Sequence, residues 1–373
     1  MPDRQVLIVG GGFAGMALAI KSRELGWAAD LIEIDPQWRV YGAGISISGP
    51  TYRAARRLGI AEALVSRGFA SHSGVRICAP NGKLVAEIPS RPIEPGLPTN
   101  GGIMRPVLHE ILQARTRASG TQVRLGVTLT GFTERDDQVR VMTSDGQEKD
   151  YSLIVAADGV FSRTRDMLFP AASLPEYTGQ YCWRMTAERP PEIDGVHFYM
   201  AGPITAGLMP TSQSQMYMFL LQAEPVKIRL DEATQWQRLK QLMAPFSGLL
   251  GTLRDNLSPA SAIICRPLEA ILLPLPWHRG PVLLIGDAVH ATTPHLASGA
   301  GIAIEDALVL TEELARNDQV AQALERFEAR RWARCRMVVE NSVRIGQMEQ
   351  THADPGALKA LMAESEAALR EEI

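Results

Sequence analysis

Apolar and polar positions follow two different periods, and the period changes along the chain. Gln5 to Val9 is a short apolar run that breaks at Gly10-Gly11-Gly12-Phe13-Ala14-Gly15. Ala14, Ala17, Leu18 and Leu25 then recur at helical spacing, Gly26 ends that stretch, and Ala29 to Ile34 is a second apolar run. This order predicts strand, glycine loop, helix and strand. Residues 74–89 read as a hairpin around Pro80-Asn81-Gly82 that leaves this unit, and the Pro- and Gly-rich residues 89–102 bring the chain back. Arg105 to Ala118 is predicted helical, with Val107, Ile111, Leu112 and Arg115 near one face and Pro106 in the first turn. Strands are expected at 121–129, 138–143 and 151–156. From about 174 the texture changes: strand-like runs at 177–188, 195–201, 205–211 and 214–223 lie close together, as in an antiparallel sheet. Residues 231–255 predict one amphipathic helix, Ala260 to Pro267 and Glu269 to Pro274 two further runs, and Pro281 to Gly286 an apolar strand. The tail from about 301 is mostly helix, with Leu324, Phe327, Cys335, Val338 and Ile345 on a stripe suited to packing.

At 373 residues and 46% hydrophobic, the chain can bury a sizeable core and make two domains. A formal net charge of −3 without a long basic run gives nucleic-acid binding no electrostatic support. Cys78, Cys182, Cys265 and Cys335 are far apart and form no CxxC pair, so reduced thiols in a cytoplasmic protein are expected. No signal-like leader is visible, and no run of about 18 apolar residues suggests a membrane span.

Three stretches carry chemistry. The first is the glycine loop: Gly10 permits a tight turn, Gly12 lets backbone approach a pyrophosphate, and Gly15 lets the helix pack on the sheet. Glu33, ending the second strand, is placed to hydrogen-bond a ribose and disfavours a 2′-phosphate, which points to FAD or NAD. The second is Ala157-Asp158-Gly159-Val160-Phe161-Ser162-Arg163-Thr164-Arg165 after an apolar strand. The third is residues 286–307, in which Gly286-Asp287 end a strand and a Pro- and Gly-rich loop opens a helix. The start of such a helix offers unpaired N–H groups and a positive dipole end, suited to a ring that becomes anionic on reduction.

In this order and spacing the three stretches resemble the FAD-dependent aromatic monooxygenases of the para-hydroxybenzoate hydroxylase and salicylate hydroxylase group, over nearly the whole chain. The resemblance implies a mixed α/β fold: a Rossmann-like FAD-binding domain (1–73, 100–173 and 276–350), an inserted antiparallel-sheet substrate domain (74–99 and 174–275) and a C-terminal helical tail (351–373). It implies that Gly10, Gly12, Phe13, Ala14 and Gly15 surround the FAD pyrophosphate, that Glu33 holds the ribose and that Arg105 contacts the cofactor. Asp158 is either a cofactor contact or a tie between its loop and the first glycine motif, and Ser162 and Arg165 are helix-start residues. Asp287 is expected on the ribitol, Pro294 at the ring edge, and Gly299, Ala300 and Gly301 near the flavin pyrimidine. Gly44 and Ile45 lie in a segment that runs past the flavin, with Arg39 or Tyr41 near it. Relatives carry Gly-Gln or Gly-Ala where this chain has Ala297-Ser298.

His290 and His295 are spaced His-x4-His, but no carboxylate or cysteine completes a metal site in sequence, and none is expected. The resemblance implies a structural His290. His295 is expected to face the active cavity as base or phenol partner. Arg184, Met209, Pro210, Tyr217 and Phe219 are the candidates for a substrate-facing sheet surface, with Arg184 either pairing a substrate carboxylate or forming a structural salt bridge. Catalytic roles are thus expected of His295, Arg184 and Tyr217. The implied activity is NAD(P)H- and O2-dependent hydroxylation of a small aromatic or heteroaromatic compound through a flavin C4a-hydroperoxide, by a monomer or homodimer. The alternatives are a same-fold reductase or dehydrogenase that inserts no oxygen, and a non-catalytic flavin-binding protein.

Overall fold

The computed structural model describes residues 4–40, 42–135, 138–172, 174–202 and 204–373. Strands whose central members are apolar throughout come together in a sheet with a buried centre. Its six strands run in the order His278–Arg279, Val282–Leu284, Leu153–Ala156, Gln5–Val9, Ala28–Glu33 and Gln122–Leu125. All neighbours are parallel except the first pair. Val6 pairs with Leu153 and Ala29, and Val9 with Ala156 and Ile32, so the carboxyl ends of three strands stop together. The turns after Gln5–Val9, after Leu153–Ala156 and after Val282–Leu284, whose Leu284 pairs with Ala156, carry the three sequence motifs, and in open parallel sheets ligands bind at that end.

Alternating residues build the second sheet. Its seven strands run Ile263–Ala270, Glu176–Glu188, Gln215–Ala223, Ile204–Pro210, His197–Ala201, Val75–Cys78 and Leu84–Ile88. All neighbours are antiparallel except His197–Ala201 with Val75–Cys78. On the long strand Glu176–Glu188, Tyr181, Trp183 and Met185 pack with Leu239 and Leu250 of two covering helices and with Met243 and Phe246 of the turn between them. Cys182 and Arg184 therefore project from the opposite face. Two small antiparallel sheets complete the fold. One is Glu148–Tyr151, Gln138–Thr143 and Leu129–Arg135; the other is Gly44–Ser48, Asn100–Met104 and Phe69–Ser71.

Several boundaries differ from the sequence reading. The helix expected over 231–255 is two, Gln235–Leu242 and Gly248–Asp255, because Pro245 interrupts it and Gly248 turns at φ +60°. The runs on either side of Leu268 are one strand, and Pro267 is tolerated there because this strand is the sheet edge. The strand expected over 121–129 breaks at Gly126, φ +72°. The tail is a long helix, Val320–Gln350, and a final helix, Pro355–Arg370, whose start is capped by Asp354. No described helix is long and apolar enough to cross a membrane.

Candidate active site

The glycine loop has the geometry that its residues require. Gly10 adopts φ +103°, and a Cβ there would lie 2.4 Å from the Ala157 carbonyl oxygen. A Cβ on Gly15 would lie 2.0 Å from the Gly10 oxygen, so the turn closes on itself. Gly12 is different: a Cβ there meets no atom of the described residues within 4 Å. Gly12 also caps the helix Phe13–Glu24 with no side-chain hydrogen bond, so the first N–H groups of the helix face open space. The Glu33 carboxylate accepts from Gly11 N at 2.7 Å and Asp35 N at 2.8 Å, fixing the loop while each oxygen keeps a further lone pair. Next to it Ile34 is 58% exposed, an apolar surface at the mouth of the loop.

Two residues that sequence reasoning missed hold this loop from behind. Trp38 Nε1 donates to the Gly11 oxygen at 2.9 Å, and a Cβ on Gly11 would lie 2.3 Å from that nitrogen. The His109 ring packs edge-on to Trp38, with Nε2 3.3 Å from the same carbonyl. Arg39, expected near the cofactor, makes an ion pair with Asp35 at 3.5 Å. Tyr41 lies outside the described residues.

Asp158 ties its loop to the following helix, a different partner from the first glycine motif. Its carboxylate accepts from the Ser162 hydroxyl and from both N and Oγ1 of Thr164. Ser162 in turn caps Arg165 N at 2.9 Å, and the buried Arg165 guanidinium reaches the carbonyls of Val160 and Ala288 at 3.0 Å. The second motif is thus joined to the third.

The third motif is anchored through Asp306. One Asp306 oxygen accepts from Gly286 N at 2.9 Å and from His290 Nε2 at 2.7 Å; the other accepts from Arg331 Nε at 2.7 Å. Burial alone would disfavour a charged His290 imidazole. The pull of the Cys335 sulfur and of Asp306, and the hydrogen bond to Asp306, outweigh it and raise its pKa well above the usual value. His290, Asp306 and Cys335 place ligand atoms within 4.8 Å of one another, but the cation that serves this cluster is Arg331. His290 and His295 have separate surroundings. His295 Nδ1 bonds Thr293 Oγ1 at 2.9 Å, its side chain is 1% exposed, and Nε2 lies 3.6 Å from Glu349 on the long helix. It packs against Gly346 and is not among the cavity-lining residues, which corrects its expected place facing the active cavity. Burial lowers its pKa to about 4 and raises that of Glu349 to about 7.

Asp287 points the other way. Its side chain is open to the cleft although protein surrounds the rest of it. Among the described residues it makes no hydrogen bond or ion pair, and burial holds its carboxyl above the usual range, with His290 and Arg105 drawing it back. Pro294 is exposed at the start of the short helical turn Pro294–Leu296. Ala297 then takes the left-handed conformation, φ 47°, ψ 32°. Gly299 and Ala300 open the helix Gly299–Arg316, whose cap Ser298 turns its hydroxyl to the Leu296 oxygen and leaves the helix start unsatisfied by a side chain. Gly301 is small for packing: a Cβ would lie 2.4 Å from Thr51 Oγ1.

Facing these loops is the face of the second sheet opposite its covering helices, where Met209 and Tyr217 are buried. Arg184 pairs with Phe219 and Ile264 in register, and Tyr217 with Met209, so Arg184, Tyr217, Phe219 and Met209 share that surface. Pro210 falls on the other parity, and its carbonyl oxygen lies against Gly102, so it leaves the candidate set. Gly44 is required because a Cβ would lie 2.0 Å from the Tyr217 ring; Ile45 follows it, half-buried. The Tyr217 hydroxyl shares a 2.9 Å hydrogen bond with Ser46, a partner not anticipated from sequence. Burial raises the Tyr217 pKa, and the Ser46 bond opposes this in part. Arg105 and Arg184 both line a cavity of about 610 Å³ with Gly42, Ala43 and Ile264. Neither guanidinium has a hydrogen-bond or ion-pair partner among the described residues. Burial first, then the nearby Arg184, pulls the Arg105 pKa down, and Asp287 draws it up.

The family profile described as FAD binding domain matches residues 3–342. The chain is 30% identical over 370 residues to the Bacillus subtilis (strain 168) protein named "Putative FAD-dependent monooxygenase YetM", covering 99% of both. It is 30% identical over 358 residues to a 2-heptyl-3-hydroxy-4(1H)-quinolone synthase of Pseudomonas aeruginosa (strain UCBPP-PA14), covering 92% of this chain and 89% of the other. Its fold matches the crystal structure of a single-residue variant of Klebsiella pneumoniae HpxO complexed with FAD at a TM-score of 0.84, with 24% identity over 99% of this chain and 95% of that one.

Proposed function

The chain belongs to the FAD-binding monooxygenase family, and from that premise we propose that it hydroxylates a small, anionic aromatic or heteroaromatic ring. The observation that carries the choice of substrate is the Arg184 guanidinium, without a partner among the described residues, on the same sheet surface as Tyr217 and Phe219. A half-buried guanidinium without a counter-ion is unfavourable unless a ligand supplies the charge, and its planar fork matches a carboxylate or ring oxyanion. The quinolone synthase among the relatives is named for a hydroxylated nitrogen heterocycle, which agrees with a heteroaromatic ring.

The residues present fit FAD. The N–H groups opening the helix at Phe13 and Ala14, beside the open face of Gly12, would take the pyrophosphate. Glu33 would take the ribose, with Ile34 under the adenine. Asp287 and Arg105, whose charges are otherwise unspent, would take the ribitol and its surroundings. Gly44, Ile45 and Pro294 would flank the ring, Arg39 would stand at the outer end of that segment, and the helix opened by Gly299, Ala300 and Gly301 would face the pyrimidine. We assign the cofactor part to 1–73, 100–173 and 276–350, the substrate part to 74–99 and 174–275, and the tail to 351–373. When bound and reduced by NAD(P)H, the flavin supplies oxygen activation. The chain then has to hold the ring, exclude water and manage one proton. Arg184 orients the anionic group. Phe219 and Met209 give an apolar floor. Tyr217, kept neutral by burial, hydrogen-bonds the ring hydroxyl and exchanges protons through Ser46.

The test is NADH and NADPH oxidation in air by the FAD-loaded protein over a panel of hydroxylated and carboxylated aromatics and N-heterocycles, with peroxide monitored. Coupled turnover without matching peroxide is expected for one class. Arg184→Ala should raise the KM of that compound roughly 10- to 100-fold, as for loss of a charge-assisted bond. Turnover insensitive to Arg184, or no stimulation by any anionic ring, would sink the proposal.

A further inference from the structure

The parallel sheet carries a single glycine-loop nucleotide site among the described residues, so a reductant with its own dinucleotide has to dock elsewhere and still reach the cleft. A groove does this. The cavity of about 610 Å³ adjoins a second of about 450 Å³, and the two share Glu232, Gln235 and Arg266. The inner end of the groove is walled by Gly42, Ala43 and Arg105, the segments beside the flavin cleft. Its outer end carries Lys227 and Arg229. Lys227 is engaged with Glu269 at 2.5 Å. Arg229 has no partner among the described residues, and Arg266 bonds only the carbonyl of its neighbour Cys265, at 2.9 Å. Among the described residues Glu232 is the one carboxylate in the groove lining. Cations therefore outnumber anions along the groove, and their field is focused between its walls.

We propose that this groove is the docking site of the nicotinamide dinucleotide, with Arg229 and Arg266 clamping its pyrophosphate and the nicotinamide directed inward past Trp236 to Ala43 and Arg105. An aromatic monoanion would need one guanidinium, which Arg184 supplies deeper in. Two further guanidinium forks near the groove mouth match a ligand with two adjacent phosphates. The elongated, two-chamber shape fits a ligand with a charged middle and a flat uncharged head. This assignment rests on the reading of the chain as a nicotinamide-driven monooxygenase.

The experiment compares wild type with the double variant Arg229→Ala/Arg266→Ala, both FAD-loaded. Three quantities are read: the Kd of ADP-ribose by calorimetry, the KM of NADH and NADPH, and the Kd of the aromatic substrate from the flavin absorption change. The double variant should weaken ADP-ribose and donor roughly 10- to 100-fold, with kcat at saturating donor and substrate Kd within about twofold of wild type. Added NaCl should raise the donor KM of wild type more steeply than that of the variant. Unchanged ADP-ribose and donor binding would overturn the assignment and leave the monooxygenase reading intact. Loss of substrate binding in place of donor binding would make the groove a substrate channel and also overturn it. If no nicotinamide nucleotide binds or reduces the flavin, both readings fall.

Discussion

Gly12→Ala separates a glycine kept for the fold from one kept for a ligand. Gly12 has φ −76° and ψ −172°, which alanine adopts freely, and its Cβ would meet no described protein atom within 4 Å. The apoprotein should therefore lose no more than about 1 kcal/mol, the difference between glycine and alanine at a helix cap. The new methyl group would stand where phosphate oxygens approach the helix start. Displacing them from one charge-assisted N–H bond costs about 1.5–3 kcal/mol, or roughly 10- to 100-fold in Kd. Gly15→Ala is the contrasting control. Its Cβ would sit 2.0 Å from a backbone oxygen, so the loop itself has to move, and folding should suffer by about 3 kcal/mol or more. Thermal unfolding of apoprotein reports the first quantity and quenching of FAD fluorescence on titration the second. Gly12→Ala apoprotein that melts like wild type and still binds FAD within about threefold of it would refute the placement of the pyrophosphate.

The remaining predictions concern the anchoring charges. The folded-state pKa of His290 is raised, so its stabilising contribution is complete below about 6.5, its unfolded value, and is lost as pH rises through the folded value. Tm measured from pH 5 upward should fall on the alkaline side, and Asp306→Ala should flatten that fall while destabilising by about 3–5 kcal/mol, since it removes the carboxylate of the buried His290 and one of the two that pair the buried Arg331. Ala297→Gly should stabilise by up to about 1 kcal/mol, because an L-residue at φ 47° carries strain that glycine does not; unchanged or lower Tm would count against it. His295→Ala should lower Tm while leaving kcat and the substrate KM within about threefold, and a large kcat loss would restore it as a catalytic residue.

What could be read from sequence was what local geometry dictates. Gly10 and Gly15 are readable because a turn of that tightness admits no other residue, and alternation along Glu176–Glu188 put Arg184 opposite Trp183. The supports were hidden because they come from far along the chain. Trp38 reaches Gly11 across 27 positions, and Arg331 reaches Asp306 across 25. His295 was misplaced for a related reason: loop residues have no period, so their direction is set by what packs on them, here the long helix. Pro210 erred by one position, enough to move it to the other face of its strand.

The charged groups of this site fall into two sets, and the division itself is informative. Asp158, Asp306 and Glu33 have carboxylates engaged by several protein donors, and all three brace a motif from behind. Asp287, Arg105 and Arg184 have no such partners among the described residues, and all three face the cleft. A fold selected for stability alone would pair or remove the second set, because partly buried unpaired charge is unfavourable. Ligands that complete these groups should therefore stabilise the protein beyond the effect of filling space. Saturation with FAD adds RT ln(1 + [L]/Kd), about 2.7 kcal/mol at a hundredfold excess over Kd. Asp287→Asn should reduce this gain by weakening FAD and yet raise the Tm of the apoprotein, since it removes an unpaired charge. A variant that lowers both would mean that Asp287 braces the fold and has no ligand of its own.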